Sequence, residues 1–181
     1  RERRGEMPSP CPELLDVACG IGTQALGLAQ GAFDLAVEYT RLFDVGASGP
    51  PCPLYGGLYT ATRMKTMEEA IRFYNHFGLT LADSPREMPD HITTELEFLH
   101  FLAFREAEAL HVGEDPGPFQ RAQRDFAARH PGRWVPQLRE RLESQDPMPF
   151  FRELVSQLDR FLSHDQSRLV TLAGAAPLSP R

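Results

Sequence analysis

SPREMPDHITTELEFLHFLAFREAE, residues 84–108, is the most hydrophobic helix-like segment of the chain and the one that decides its fold. Beyond Pro89, Leu96, Leu99, Ala103, Ala107 and Leu110 recur at three- and four-residue spacing, the period of one helix face. Phe98, Phe101, Leu102 and Phe104 fill most of the other faces, and a helix apolar nearly all round is a buried one. Glu95, Glu97, His100 and Arg105 interrupt the run, which argues against a membrane span of roughly 20 uninterrupted apolar residues. The segment is expected to be the central helix of a soluble bundle.

Its entry, Glu87-Met88-Pro89-Asp90-His91, with Glu95 one turn after His91, admits two readings. In the first, Asp90 is the N-cap, accepting from the unpaired N–H groups of the first turn and complementing the helix dipole. In the second, Glu87, Asp90 and His91 form a partly acidic rim at a helix mouth, fit to bind a cationic peptide. Nothing local decides between them.

Glu87-x-Pro89-Asp90-His91 followed by Thr94-Glu95-Leu96-Glu97-Phe98 resembles the signature of the TorD/DmsD/NarJ family. These are cytoplasmic chaperones that mature molybdenum oxidoreductases. Glu38 to Phe43 and the loop Gly49-Pro50-Pro51-Cys52-Pro53-Leu54-Tyr55 resemble the same family in the same order. Tyr74 to Leu79 and His130-Pro131-Gly132-Arg133-Trp134 are most similar to the branch serving type II enzymes of the dimethyl sulfoxide reductase family. The resemblance runs over residues 32–165 and implies an all-α, single-domain bundle that binds rather than catalyses. Its implied partner is the apo catalytic subunit of a molybdenum oxidoreductase, with its twin-arginine leader where one exists. The chaperone would hold that subunit until the molybdopterin guanine dinucleotide cofactor is inserted. Glu87, Pro89, Asp90 and His91 are the implied contacts, with Glu95 orienting them. Tyr39, Phe43, Tyr55 and Phe98 would line the apolar surface of the groove. Replacing Asp90 and His91 with Ala is expected to weaken client binding while leaving the bundle folded.

The chain has 181 residues, with 41% hydrophobic and a formal net charge of −6, which fits one ordered domain and disfavours a phosphate-binding basic surface for DNA or RNA. An acidic protein facing a basic leader is electrostatically apt. Cys11, Cys19 and Cys52 are too few and too scattered for a disulfide framework, which points to a reducing compartment. Residues 1–10 are charged and Pro-rich without the apolar core of a secretory leader, so the cytoplasm is the expected location. The first residue is Arg1, and the native start is expected upstream or at Met7.

Leu14 to Thr23 offers a competing interpretation. Asp16-Val17-Ala18-Cys19-Gly20-Ile21-Gly22 resembles motif I of methyltransferases that bind S-adenosylmethionine, where glycines let backbone approach the cofactor. A nucleotide-binding fold needs a second strand ending in an acid soon afterwards, and none follows: Phe33 to Phe43 reads as a helix with Phe33, Ala36, Val37 and Thr40 on one face.

Thr66-Met67-Glu68-Glu69 is a capping-box pattern, and the helix it opens shows Met67, Ala70, Ile71, Tyr74 and Phe77 on one face before Gly78. A further helix carries Phe119, Ala122, Phe126 and Ala127, with Arg121, Arg124, Asp125 and Arg129 expected on a solvated face. Trp134 to Leu142 forms the next, with Trp134 an apolar anchor. Asp146-Pro147 opens the last, whose stripe runs Phe150, Phe151, Leu154, Val155, Leu158, Phe161 and Leu162. The expected organisation is a flexible segment at 1–12, a helical domain at 13–165 with a hinge loop near 79–90, and a tail at 166–181. Monomer and domain-swapped dimer both remain open.

Catalytic patterns are weak. The six histidines show no His-x-x-x-His or His-Glu-x-x-His spacing, and no Gly-x-Ser-x-Gly elbow or phosphate loop occurs. No enzyme activity, cofactor, metal, nucleic acid or membrane insertion is expected.

Overall fold

The computed structural model describes residues 27, 29–44, 46, 49–60, 62–80 and 87–175. The expected 1–12 segment, the Asp16–Gly22 stretch, Cys11, Cys19 and residues 81–86 of the hinge loop lie outside them. The chain divides into two compact units, Arg1–Thr40 and Arg41–Arg181.

In the first unit, residues 29–39 form helix α1. Phe33 and Val37, expected on a core face, are both more than half exposed, and Glu38 is buried instead. A π-helical turn, Thr40–Asp44, follows in sequence.

The second unit holds five helices: α2 (Arg63–His76), α3 (Ile92–Val112), α4 (Gly117–Arg129), α5 (Pro131–Glu143) and α6 (Pro149–Ala173). A single 3-10 turn at Gly56–Leu58 precedes them. No strand occurs among the described residues, where Tyr55 and His91 form an isolated antiparallel bridge. The all-helical expectation holds.

The helix at the centre is α4, not α3, because α4 packs against α2, α3, α5 and α6. α3 is not buried all round. Its buried stripe is Ile92, Glu95, Phe98, Leu102, Glu106 and Ala109, while Ala103, Ala107 and Leu110 of the expected face are exposed. The displacement has a physical cause: two glutamates belong to the buried stripe, each accepting at least one side-chain hydrogen bond. Glu106 accepts from Gln123 Nε2 at 2.7 Å, Gln120 Nε2 at 3.0 Å and Arg168 Nη1 at 3.4 Å, joining α3, α4 and α6. Burial pushes its carboxyl up, but these donors together hold it below the usual range.

The core between α2, α3 and α4 is aromatic. Phe98 meets Phe126 at 4.7 Å and Tyr74 at 4.9 Å, ring centre to ring centre, both at steep interplanar angles. Such pairs contribute about 0.5–1.5 kcal/mol beyond their buried area. α2 begins at Arg63, three residues before the expected cap; Thr66 lies inside it and donates to Thr62 O at 3.3 Å. The C-terminus of α2 follows expectation. Gly78 sits at φ 73°, with its N–H on Asn75 O and the Leu79 N–H on Tyr74 O, which satisfies two end carbonyls.

Arg124, expected in solvent, is buried. Its Nη1 donates to Ala173 O at 2.6 Å and Gly174 O at 3.0 Å, so it caps the C-terminus of α6. α6 continues through 166–173, residues expected in the tail, because Leu169 is fully buried. Of its predicted stripe, Phe151, Val155 and Leu162 are buried, whereas Phe150, Leu154 and Phe161 are each more than half exposed.

Candidate functional site

The site forms where the loop before α3 is stitched to the loop before α2. Gly56 N–H donates to Asp90 O at 2.8 Å, and Ile92 N–H donates to Leu54 O at 2.9 Å. Gly57 N–H donates to Asp90 Oδ2 at 2.9 Å, and Tyr74 Oη donates to Pro89 O at 2.7 Å. Four backbone or side-chain donors thus hold Pro89, Asp90 and Ile92 in place. Glycine is required at 56 and 57 by space. A Cβ on Gly56 would lie 2.7 Å from Trp134 Nε1, and one on Gly57 would lie 2.7 Å from Asp90 Oδ2.

Asp90 is therefore not the N-cap. It is 0% exposed and clamps the 56–58 turn, and the cap is His91, whose Nδ1 accepts from Thr93 N–H at 3.3 Å. Accepting at Nδ1 leaves the ring proton on Nε2, which faces Glu87 Oε2 at 3.7 Å. Burial lowers the His91 pKa, against the pull of Glu87 and Asp90, so the imidazole stays neutral at neutral pH. Asp90 and His91 are both buried in structural contacts, so replacing them with Ala also deletes the hydrogen bonds from Gly57 N–H and Thr93 N–H.

Beneath this loop lies a second polar cluster. Glu95 is 0% exposed, and its Oε2 accepts from Trp134 Nε1 at 2.9 Å. Burial pushes its carboxyl up to about 9, opposed by the Trp134 hydrogen bond and aided by the Asp90 charge. Its Oε1 stands 3.8 Å from Nδ1 of the fully buried His130, which burial holds down at about 4. Both are uncharged at neutral pH, so the contact is a neutral polar one and no buried ion has to be desolvated. Trp134 also stacks on Tyr59 at 5.2 Å, Tyr59 Oη donates to Pro53 O at 2.9 Å, and Arg141 covers the outer face of that ring at 4.3 Å.

Of the expected contacts, Tyr55, Glu87, Pro89, Asp90, His91 and Glu95 come together here. Phe98 follows one turn later in α3 and sits in the core, 3% exposed, not on a groove surface. Phe43 lies against Phe151 of α6 at 5.5 Å. Tyr39 belongs to the first unit and is exposed. Of Glu87, Asp90 and Glu95, only Glu87 reaches solvent, with 41% of its side chain exposed. Tyr55 Oη donates to Glu87 Oε2 at 3.1 Å, and the Tyr55 ring meets His91 edge-on at 4.8 Å. No lysine or arginine pairs with Glu87 among the described residues. Leu58 on the 56–58 turn, Met64 in the first turn of α2 and Met88 beside Glu87 are all exposed. The result is a partly exposed carboxylate held by Tyr55, with no lysine or arginine pairing it among the described residues.

Gly56, Gly57, Tyr59, Tyr74 and His130 carry this arrangement without having been singled out for it, and Trp134 serves as a hydrogen-bond donor as well as an apolar anchor. A glutamate in register with Phe98 and Leu102 was the available signal, since a buried carboxyl demands a donor. No cluster of three metal-ligating side chains occurs among the described residues. No helix there is long and apolar enough to cross a membrane.

Residues 5–140 match the family model described as nitrate reductase delta subunit. The chain is 42% identical over 120 residues to a chlorate reductase assembly chaperone protein of Ideonella dechloratans, covering 65% of this chain and 62% of that protein. It is 41% identical over 114 residues to a selenate reductase assembly chaperone protein of Thauera selenatis, covering 62% and 59%. To a perchlorate reductase assembly chaperone protein of Dechloromonas aromatica it is 34% identical over 131 residues, covering 71% and 58%. The chain thus spans about three fifths of the length of these curated relatives. No solved structure matches it. The family match takes in Asp16–Gly22, and the relatives are assembly chaperones, so they give the methyltransferase alternative no support.

Proposed function

Because the chain belongs to the nitrate reductase delta subunit family, which residues 5–140 match, we propose that it is an assembly chaperone for a molybdenum oxidoreductase of the dimethyl sulfoxide reductase family. It binds the apo catalytic subunit in the cytoplasm, together with a twin-arginine leader where the client has one, and releases it after molybdopterin cofactor insertion. Three relatives that are chaperones of chlorate, selenate and perchlorate reductases support a client of that type.

The observation that supports this function is the exposed Glu87 carboxylate, which no lysine or arginine pairs among the described residues. Tyr55 fixes its position, the neutral His91 does not neutralise it, and exposed Leu58, Met64 and Met88 lie on the 56–58 turn, in the first turn of α2 and next to Glu87 in sequence. A basic amphipathic segment matches both features: its apolar face covers the exposed side chains while an arginine makes a charge-assisted pair with Glu87. Asp90, His91 and Glu95 act from beneath by fixing the loop that presents Glu87.

The test is affinity purification of the tagged protein from its host during anaerobic respiration, followed by mass spectrometry. One molybdenum catalytic subunit is expected with the unmodified protein. Glu87→Gln keeps an acceptor for Tyr55 but removes the charge, and should reduce recovery by about tenfold, the loss expected for one charge-assisted hydrogen bond. Absence of any molybdenum subunit contradicts the function, and equal recovery with Glu87→Gln contradicts the site.

A further inference from the structure

At the other end of α2 a cavity of about 530 Å³ opens between its last two turns and the first turns of α4. Its floor is apolar. Phe73 and Phe77 press one edge into the core against Phe98, and Ala122 of α4 completes the surface. Arg72, His76 and Arg121 stand around it. Arg121 and His76 make no hydrogen bond or ion pair among the described residues, and Arg72 has only a solvent-exposed contact of 3.5 Å with Glu68. The one acid lining the cavity, Asp125, is already paired with Arg124 at 2.8 Å. A chain of net charge −6 therefore carries here two exposed arginines, Arg121 without an acidic partner among the described residues and Arg72 with only Glu68, over a partly buried aromatic floor.

We infer that this groove is a docking site for an acidic amphipathic segment of a partner polypeptide, whose apolar side chains rest on Phe73, Phe77 and Ala122 while its carboxylates pair with Arg72 and Arg121. Charge complementarity selects the sign of the occupant. The chemistry also favours a polypeptide over a small anion. Small-molecule sites fix their ligands with convergent, well-placed polar groups, whereas the polar groups here are long, exposed arginines with no glycine-rich backbone cradle. An amphipathic segment brings its own order and needs only an apolar trough with charges at its edge.

If the partner is the client, an identification that rests on the function proposed above, α2 joins two contacts of opposite charge. Tyr74 of α2 holds Pro89 of the loop that presents Glu87, and Arg72 of the same helix lines the groove. Two weak contacts on one client reinforce each other through effective concentration.

The experiment uses the full chain, labelled with 15N, titrated with a helix-forming peptide bearing leucines at i and i+4 flanked by glutamates. A second peptide replaces each glutamate by lysine, and inorganic pyrophosphate serves as the small-anion probe. The glutamate peptide should move the amides of Phe73, Phe77, Arg121 and Ala122. The charge-reversing pair Arg72→Glu and Arg121→Glu, both at exposed positions, should weaken it by at least about tenfold with an unchanged circular dichroism spectrum. Equal binding of the lysine peptide, undiminished affinity in the double variant, or displacement of the peptide by pyrophosphate would each overturn the proposal. The assay contains no client, so its failure removes the groove and leaves the Glu87 test standing.

Discussion

Glu95 and His130 show how burial, not pairing, sets protonation in this protein. The carboxyl is pushed up to about 9 and the imidazole down to about 4, so each folds in its uncharged form. Their linkage to stability has opposite signs. Between the ordinary carboxylate value near 4.5 and about 9, the folded state holds the Glu95 proton that the unfolded state releases, so stability is lost as pH rises. Between about 4 and the ordinary imidazole value of 6.5, the unfolded state binds the His130 proton that the folded state excludes, so stability is lost as pH falls. The two slopes oppose each other where their windows overlap. Above pH 6.5 the Glu95 contribution stands alone, with a limiting slope of about 1.4 kcal/mol per pH unit for one proton. Urea melts across pH 6.5 to 9 should show declining stability, and Glu95→Gln, which retains an acceptor for Trp134, should flatten the decline. An equal slope in the variant would place the proton elsewhere.

The 3-10 turn at Gly56–Leu58 is short, yet it packs against α2 and α5 and holds Asp90 of the site loop. Its first residue sits under Trp134, and Gly56→Ala drives a methyl group to 2.7 Å from the indole nitrogen. Overpacking of this kind costs about 1–3 kcal/mol. The variant should lose stability of that order in urea denaturation while its folded circular dichroism remains helical. A change below about 0.5 kcal/mol, the scale of ordinary surface substitutions, would show that the turn moves aside freely. Helices themselves were legible in the sequence, since the apolar spacing of α2, α4 and α6 and the Gly78 terminator follow local rules. The buried face of α3 was not. Periodicity counted Leu96, Ala103 and Leu110 as core because it treats every glutamate as exposed, while the fold buries Glu95 as a neutral acid and Glu106 under three donors. The start of α3 moved for a related reason: Asp90, the better cap by type, is taken by Gly57, and His91 caps in its place.

Across the second unit, the arrangement separates support from contact. Asp90, His91 and Glu95, the most conspicuous polar residues of the motif, lie inside and shape the loop, whereas Glu87 and three exposed apolar side chains meet solvent. A sequence motif shows which residues go together but not which of them faces outward, because that depends on donors such as Gly57 and Trp134 that come from distant segments. The family was legible in the Glu87 to Phe98 run, and the division of labour inside that run required the fold. Cofactor assembly is the central claim, and the most direct measurement is the molybdenum content of the catalytic subunit recovered from the purification, isolated from hosts with and without the gene for this chain. Our account predicts that the subunit accumulates largely without molybdenum when the gene is deleted, that the unmodified gene restores loading, and that Glu87→Gln restores it only in part. Full molybdenum loading in the deletion host would contradict it.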